Sequence, residues 1–139
     1  MASSLIASAA ASAQQPDRSL QLALTAARIA AENRGRDIVI LDMRGLTSIF
    51  DYFVLATGTS RRQLHAISDE IELEVTKTLG DRRLGGEGYA QGRWILLDYG
   101  DVVVHLLDDE ARDYYGLEQL WCRARRVPWG AEPVAVPNP

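Results

Sequence analysis

Short apolar runs that alternate with stretches of helical spacing constrain the fold of this chain most strongly. Residues 38–41 and 102–104 are continuous runs of Ile, Val and Leu. They have the length of strands, whereas a membrane-spanning helix needs roughly 18 consecutive apolar residues. Strands that alternate with amphipathic helices are typical of an α/β domain, so we predict a single domain with one mixed central sheet and flanking helices.

Four stretches rich in β-branched and aromatic residues predict strands: residues 37–43, 51–57, 93–98 and 102–107. The last two are close enough for a hairpin, in which Gly100 would adopt a positive φ. Residues 84–92 are rich in glycine and predict either a short edge strand or a loop.

Three helices are predicted between these strands. The first covers residues 19–33 and has an apolar stripe at helical spacing: Leu20, Leu24, Ala27 and Ala31. The second begins after Ser60, a candidate N-cap, and ends at Leu79 before Gly80.

The third predicted helix runs from Asp109 to Ala124. Gly116 lies inside it, where a glycine costs about 1 kcal/mol relative to alanine. Cys122, behind Trp121, is predicted to pack within this helix region. Most of the large apolar residues are also predicted to pack: Tyr115, Leu117, Leu120 and Trp121.

Two compositionally distinct tails are predicted to flank the domain. Residues 1–17 are mostly Ala, Ser and Gln, and this composition predicts a disordered tail. Residues 18–127 are predicted to form the domain. Residues 128–139 contain four of the five prolines and are predicted to form a second tail. The first 15 residues contain no Arg or Lys, unlike a signal or transit peptide, so we expect a cytoplasmic protein.

Charge and cysteine content exclude several classes of protein. The net charge is -4, from 15 basic and 19 acidic residues, which argues against a phosphate backbone as the main partner and against direct DNA binding. With a single cysteine, the chain can form neither an intrachain disulfide nor a cysteine-rich zinc site. No apolar run is long enough for us to expect a membrane partner.

One turn is similar to a catalytic motif. Gly58, Thr59 and Ser60 lie between a predicted strand and a predicted helix, followed by Arg61 and Arg62. Backbone amides at such a turn attract anions, and nucleotidyltransferases have a similar Gly-Ser turn. Those enzymes hold magnesium with nearby carboxylates, but no Asp-x-Asp follows here, so a capping turn is favoured over a nucleotide site.

The histidines do not indicate catalysis or metal binding. His65 and His105 have no second histidine or cysteine at ligand spacing, and no serine or cysteine has the setting of a nucleophile. We therefore predict no catalytic residues, no metal site and no cofactor.

One predicted strand carries a candidate binding surface. Trp94, Leu96 and Asp98 share one face by the period of two, and Ile95 and Leu97 share the other. If helices cover only the second side, the Trp94 face (Trp94, Leu96 and Asp98) offers an aromatic anchor and a carboxylate to a partner. The alternative is that this face packs inside the domain.

Several motifs resemble the ribosomal silencing factor family (RsfS, also called Iojap). They are DYFVLATGTS over residues 51–60, Glu87-Gly88, WILLDYGDVVVH over residues 94–105 and RDYYGLEQLW over residues 112–121. The resemblance covers residues 19–127. At Gly116 the chain departs from the family, which usually has a polar residue there.

The resemblance implies a function without enzymatic activity. Family members bind the large ribosomal subunit through large-subunit ribosomal protein fourteen and block joining of the small subunit when nutrients are short. Organelle relatives assist large-subunit assembly, and free members are often homodimers. The family fold is similar to that of nucleotidyltransferases but lacks their catalytic carboxylates.

Carried over position by position, the resemblance places partner contacts on and beside the Trp94 face: Glu87, Trp94, Leu96, Asp98, Asp101 and His105. A ribosomal protein is basic, so carboxylates around a tryptophan suit such a partner.

Overall fold

Six strands form one mixed sheet in the computed structural model, which describes residues 17–130. The strands are β1 (Arg36–Asp42), β2 (Tyr52–Gly58), β3 (Gly85–Glu87), β4 (Trp94–Asp98), β5 (Val102–Asp108) and β6 (Arg125–Arg126). Their order across the sheet is β3-β4-β5-β2-β1-β6. Only β2 and β5 pair in parallel among these neighbours, so the predicted mixed sheet is confirmed.

Within residues 17–130, four α-helices accompany the sheet: α1 (Arg18–Glu32), α2 (Arg61–Glu74), α3 (Asp109–Tyr115) and α4 (Leu117–Leu120). Ser60 caps α2 as predicted, because its Oγ accepts a hydrogen bond from the Gln63 amide at 3.1 Å. A π-helical turn, Val75–Leu79, extends α2 to the predicted end before Gly80.

Helices α1 and α2 cover one face of the four central strands, β4, β5, β2 and β1. The strand residues on this face are buried at alternating positions: Ile38, Ile40, Tyr52, Val54, Ala56, Ile95, Leu97, Val102, Val104 and Leu106. They pack against small and branched side chains of α1, such as Ala23, Ala26 and Ile29, and against Leu64, Ile67 and Ile71 of α2. This layer is the larger part of the core, and its burial drives the docking of both helices.

The opposite face is covered only in part. Ala111 of α3 and Leu117 of α4 pack with Val39, Leu41, Leu55 and Leu107 from the strands. On β4, Ile95 and Leu97 are 1% and 0% exposed on the helix-covered side, whereas Trp94, Leu96 and Asp98 remain half-buried. Of the two alternatives for the Trp94 face, neither holds fully: Trp94 and Leu96 are partly exposed, but they also pack against this second cluster of buried residues.

The last predicted helix is wrong in its second half. It stops at Tyr115, because Gly116 adopts a left-handed conformation with φ of +53° and ends the helical path. The four residues of α4 and a turn follow, so Cys122 is exposed and does not pack as predicted. Tyr115 and Leu120 are also exposed, and Leu117 and Trp121 supply the packing.

Two predictions concern strands β3, β4 and β5: the hairpin and the conformation of residues 84–92. Gly100 has φ of +90° in the turn between β4 and β5, as predicted. Of the two alternatives for residues 84–92, the edge strand β3 is present and a loop follows it.

The chain after β6 continues along β1. The Trp129 indole N–H donates to the Ile38 carbonyl at 3.2 Å, and Trp129 packs against the helix-covered core. The predicted tail residues 1–16 and 131–139 lie outside the described residues.

Candidate partner-binding surface

Cross-strand pairing brings five of the six predicted contact residues to one side of the sheet. Glu87, Leu96 and His105 are direct partners on β3, β4 and β5. Directly paired residues project to the same side, so these three side chains form a row. Trp94 and Asp98 lie on the same side of β4, two residues before and two residues after Leu96.

His105 holds Trp94 in place. The Trp94 indole N–H donates to His105 Nδ1 at 3.2 Å, and His105 is only 5% exposed. Burial, together with the nearby Arg112 guanidinium, lowers the pKa of His105 to about 4. The ring is therefore neutral at pH 7, with its hydrogen on Nε2, which has no hydrogen-bond partner among the described residues.

Further aromatic side chains extend the Trp94 face in two directions. The Tyr115 ring lies 4.4 Å from that of Trp94, and the Phe53 ring meets His105 edge-on at 4.8 Å. Phe50 lies 5.1 Å from Phe53. These three residues were missed from the sequence. The side of the sheet that Phe53 takes is given by the register of β2 against β5, which pairs Phe53 with Val103.

The three predicted carboxylates differ in exposure, contacts and position. Glu87 is exposed at the edge of the sheet, and Asp98 is half-buried, with its carboxylate accepting a hydrogen bond from the Gly100 amide at 2.8 Å. Asp101 lies apart from the row, in the turn before β5, where it lines a cleft with Arg18 and Tyr99 near the start of α1. The structure thus groups Glu87 and Asp98 with Trp94 but not Asp101.

A buried arginine fixes the helices that border this surface. Arg112 of α3 donates to Thr57 Oγ1 at 2.8 Å and to the Asp37 carbonyl at 2.6 Å. Its Nε also pairs with Glu118 of α4 at 2.9 Å, and its side chain is 9% exposed. The guanidinium therefore joins β1, β2, α3 and α4, and holds α3 beside Trp94.

The turn before α2 is occupied by its own hydrogen bonds. The Thr59 amide donates to Gln63 Oε1 at 2.7 Å, while Ser60 accepts from the Gln63 amide. This arrangement favours the capping interpretation over a nucleotide site. Across residues 17–130, no group of three His, Cys, Asp or Glu is placed to hold a metal ion. The helices of this same region are too short or too polar to cross a membrane.

Comparisons with known proteins agree with the motifs. A protein-family model described as "Ribosomal silencing factor during starvation" matches residues 16–137. A ribosomal silencing factor from Chromobacterium violaceum is 43% identical over 88 residues, which are 63% of this chain and 71% of that protein. A mouse relative, named mitochondrial assembly of ribosomal large subunit protein 1, is 34% identical over 92 residues, 65% of this chain and 40% of that protein.

A solved structure confirms the fold. A crystal structure of a Chromobacterium violaceum protein superposes with a TM-score of 0.70 at 36% sequence identity, covering 85% of this chain and 96% of that one. The family match spans most of the chain, and its name describes a silencing factor rather than a catalyst. On this evidence the chain belongs to the ribosomal silencing factor family, whose role is ribosome-associated silencing.

Proposed function

We propose that this chain binds the large ribosomal subunit through large-subunit ribosomal protein fourteen and blocks joining of the small subunit, which lowers translation under nutrient limitation. The observation that carries the proposal is the Trp94 face, where Trp94 and Leu96 are half-buried, Asp98 follows them on the same side of β4, and Glu87 lies beside Leu96 on β3. Asp101 and His105 complete the proposed set, Asp101 as a peripheral carboxylate and His105 as a positioning residue.

The chemistry of this face suits a basic protein partner. Aromatic residues near the centre of an interface frequently contribute most of its binding energy. Carboxylates beside them accelerate encounter with a positively charged partner and orient it. The net charge of -4 also favours encounter with a positively charged partner.

Trp94 is also prepared for binding before the partner arrives. Its indole nitrogen is engaged by His105, and the Tyr115 ring lies against it. A side chain that is already ordered loses less conformational entropy on association. The proposed mechanism is steric: the bound domain occupies space that the small subunit needs, and no catalytic group or cofactor takes part.

Binding to purified large subunits tests the assigned face. Wild-type protein should sediment with the subunits, while Trp94→Ala and Asp98→Arg should be retained at least tenfold more weakly, since an interface hot spot contributes about 2 kcal/mol or more. Leu73→Ala and Glu70→Arg, exposed positions on α2, are matched controls that should bind as wild type does. Equal retention of all five proteins would reject the face, and absence of wild-type binding would reject the function.

The free chain is also proposed to form a homodimer. Sedimentation equilibrium should then give twice the mass of one chain in the absence of ribosomes. A single-chain mass at all concentrations would contradict this part of the proposal.

A role in large-subunit assembly is the second candidate, and the name of the mouse relative favours it. It would use the same face and differ in timing. Ribosomal profiles of cells without this protein separate the two: an assembly role predicts immature large subunits in rich and in starved medium, whereas silencing predicts mature subunits in both.

A further inference from the structure

The loop of residues 88–93 joins two members of the proposed contact set. Glu87 ends β3 directly before it, and Trp94 begins β4 directly after it. The loop closes on itself through the Gly92 amide, which donates to the Gly88 carbonyl at 2.9 Å. It also folds back closely on β4, because a Cβ added at Gly88 would collide with the Trp94 carbonyl oxygen. A change in the path of this loop would therefore move Glu87 relative to Trp94.

Three side chains of α2 hold the loop. Arg61 Nη1 donates to the Ala90 carbonyl at 3.2 Å, and His65 Nε2–H donates to the Tyr89 carbonyl. The His65 and Tyr89 rings are stacked, with centroids 4.1 Å apart and planes 12° apart. The Tyr89 hydroxyl donates to the Asp69 carboxylate at 3.0 Å. Helix α2 thus engages both the backbone and a side chain of the loop.

These three residues form one stripe along the surface of the helix, the α2 stripe (Arg61, His65 and Asp69), because they recur every four residues. The stripe is separate from the side of α2 that packs in the core through Leu64 and Ile71. Within the described part of the chain, every hydrogen bond that the three side chains make goes to the loop. Their removal should therefore leave the core packing of α2 intact.

Strand β3 has little other support. It has three residues, lies at the edge of the sheet and pairs with β4, and its residues belong to neither buried cluster. So short a pairing at a sheet edge is marginally stable in water without further packing. On the other side of β3, Arg83 pairs with Glu72 of α2 at 2.8 Å. Helix α2 therefore restrains the chain both before and after β3.

We propose that Arg61, His65 and Asp69 are positioning residues for partner binding, which hold the loop on α2 and thereby fix Glu87 beside Leu96 on the Trp94 face. The inference rests on the proposed function. A carboxylate that is held in place before binding loses less conformational entropy on association. Its charge is also fixed where it orients a basic partner during encounter.

Amide hydrogen exchange of the full chain tests whether the α2 stripe holds the loop. His65→Ala and Tyr89→Ala each remove the ring stacking, so exchange in residues 85–93 should accelerate roughly tenfold or more, while the buried Val104 of β5 should exchange as in wild type. Tyr89→Phe keeps the ring and should retain most of the protection. Arg62→Ala, at an exposed position next to Arg61, is the matched control and should exchange as wild type does. Unchanged exchange in both alanine variants would overturn the proposal.

A double-mutant cycle on association with purified large subunits tests the positioning role itself. His65→Ala should lower the association rate, and adding Glu87→Gln should then have about half or less of the effect that it has in the wild-type background, because the carboxylate is already displaced. In the Arg62→Ala background Glu87→Gln should keep its full effect.

A full effect of Glu87→Gln in the His65→Ala background would overturn the positioning role alone, since the stripe would then act only on the structure of the loop. Wild-type protein that does not bind large subunits would overturn the proposed function, and this role with it. The two failures are therefore distinguishable.

Discussion

Trp94 and His105 form a hydrogen-bonded pair across strands β4 and β5, with the indole N–H donating to Nδ1 at 3.2 Å. The pair has two consequences. It orients the tryptophan that we propose as the main anchor for the ribosome, and it requires an unprotonated Nδ1 on a histidine that is 5% exposed. The order of the proposed binding surface therefore depends on a neutral histidine beneath it.

The stability of the domain should fall as His105 becomes protonated in the unfolded state. The pKa of His105 is lowered from 6.5 to about 4 in the folded chain. Between these values the unfolded state binds more protons, so the free energy of unfolding rises with pH and falls on acidification from about 6.5 to about 4, by on the order of 3 kcal/mol. Urea unfolding at several pH values measures this slope.

His105→Gln is the matched variant for the pH experiment, because glutamine keeps an acceptor for Trp94 but does not titrate. The difference in slope between wild type and His105→Gln isolates this histidine from the carboxylates. Parallel curves for wild type and His105→Gln would show that the histidine is not buried as described.

Gly116→Ala should destabilise the domain by about 1–2 kcal/mol, the cost of placing a Cβ in the left-handed region. Gly116 has φ of +53° at the end of α3. Gly45→Ala is the control, since Gly45 is exposed and an added Cβ there meets no atom within 4 Å. Chemical unfolding compares the two. A stabilised Gly116→Ala protein would mean that the helix continues through this position.

Arg112→Met should cost about 2–3 kcal/mol of unfolding free energy, because it removes three hydrogen bonds and leaves Thr57 Oγ1 and the Asp37 carbonyl without this donor, whereas Glu118 keeps only its contact with Arg126. Adding Glu118→Leu should recover part of this loss in a double-mutant cycle. Arg18→Met, which breaks the exposed ion pair with Asp81, should cost less than about 1 kcal/mol. Equal costs for the two arginines would contradict the assigned network.

Association with large subunits should slow as salt increases, because carboxylates that steer encounter are screened beyond about 8 Å at physiological ionic strength. Glu87→Gln and Asp98→Asn should lower the association rate and weaken its salt dependence, whereas Leu96→Ala should mainly raise the dissociation rate. Surface-immobilised subunits allow both rates to be measured. An association rate independent of salt would remove the proposed role of the carboxylates.

The alternation of side chains along a strand made three of the six candidate residues predictable: Trp94, Leu96 and Asp98. On β4 the period of two places Trp94 and Ile95 on opposite sides, and the burial of the strand alternates accordingly, although four of its five residues are apolar. On β2 every residue is buried, because helices cover one side and α3 and α4 part of the other. Nothing in such a run marks which side Phe53 takes, and only its pairing with Val103 on β5 decides it.

The remaining differences between the predicted and the observed structure have two causes. One is contacts between residues that are far apart in the sequence, and the other is a single left-handed backbone conformation. Arg112 donates to the carbonyl of Asp37, 75 residues away, and no local spacing indicates such a contact. The helical spacing after Asp109 predicted a continuous helix, but the left-handed Gly116 ends it and turns Cys122 outward. Propensity alone does not decide between a tolerated glycine and a terminating one.

Subunit joining tests the central claim most directly. Purified large subunits are incubated with the protein, small subunits are added, and joining is followed by light scattering. Wild-type protein should lower the joined fraction in proportion to occupied large subunits, and Trp94→Ala at the same concentration should leave joining unchanged. Unimpaired joining with large subunits saturated by wild-type protein would contradict the account.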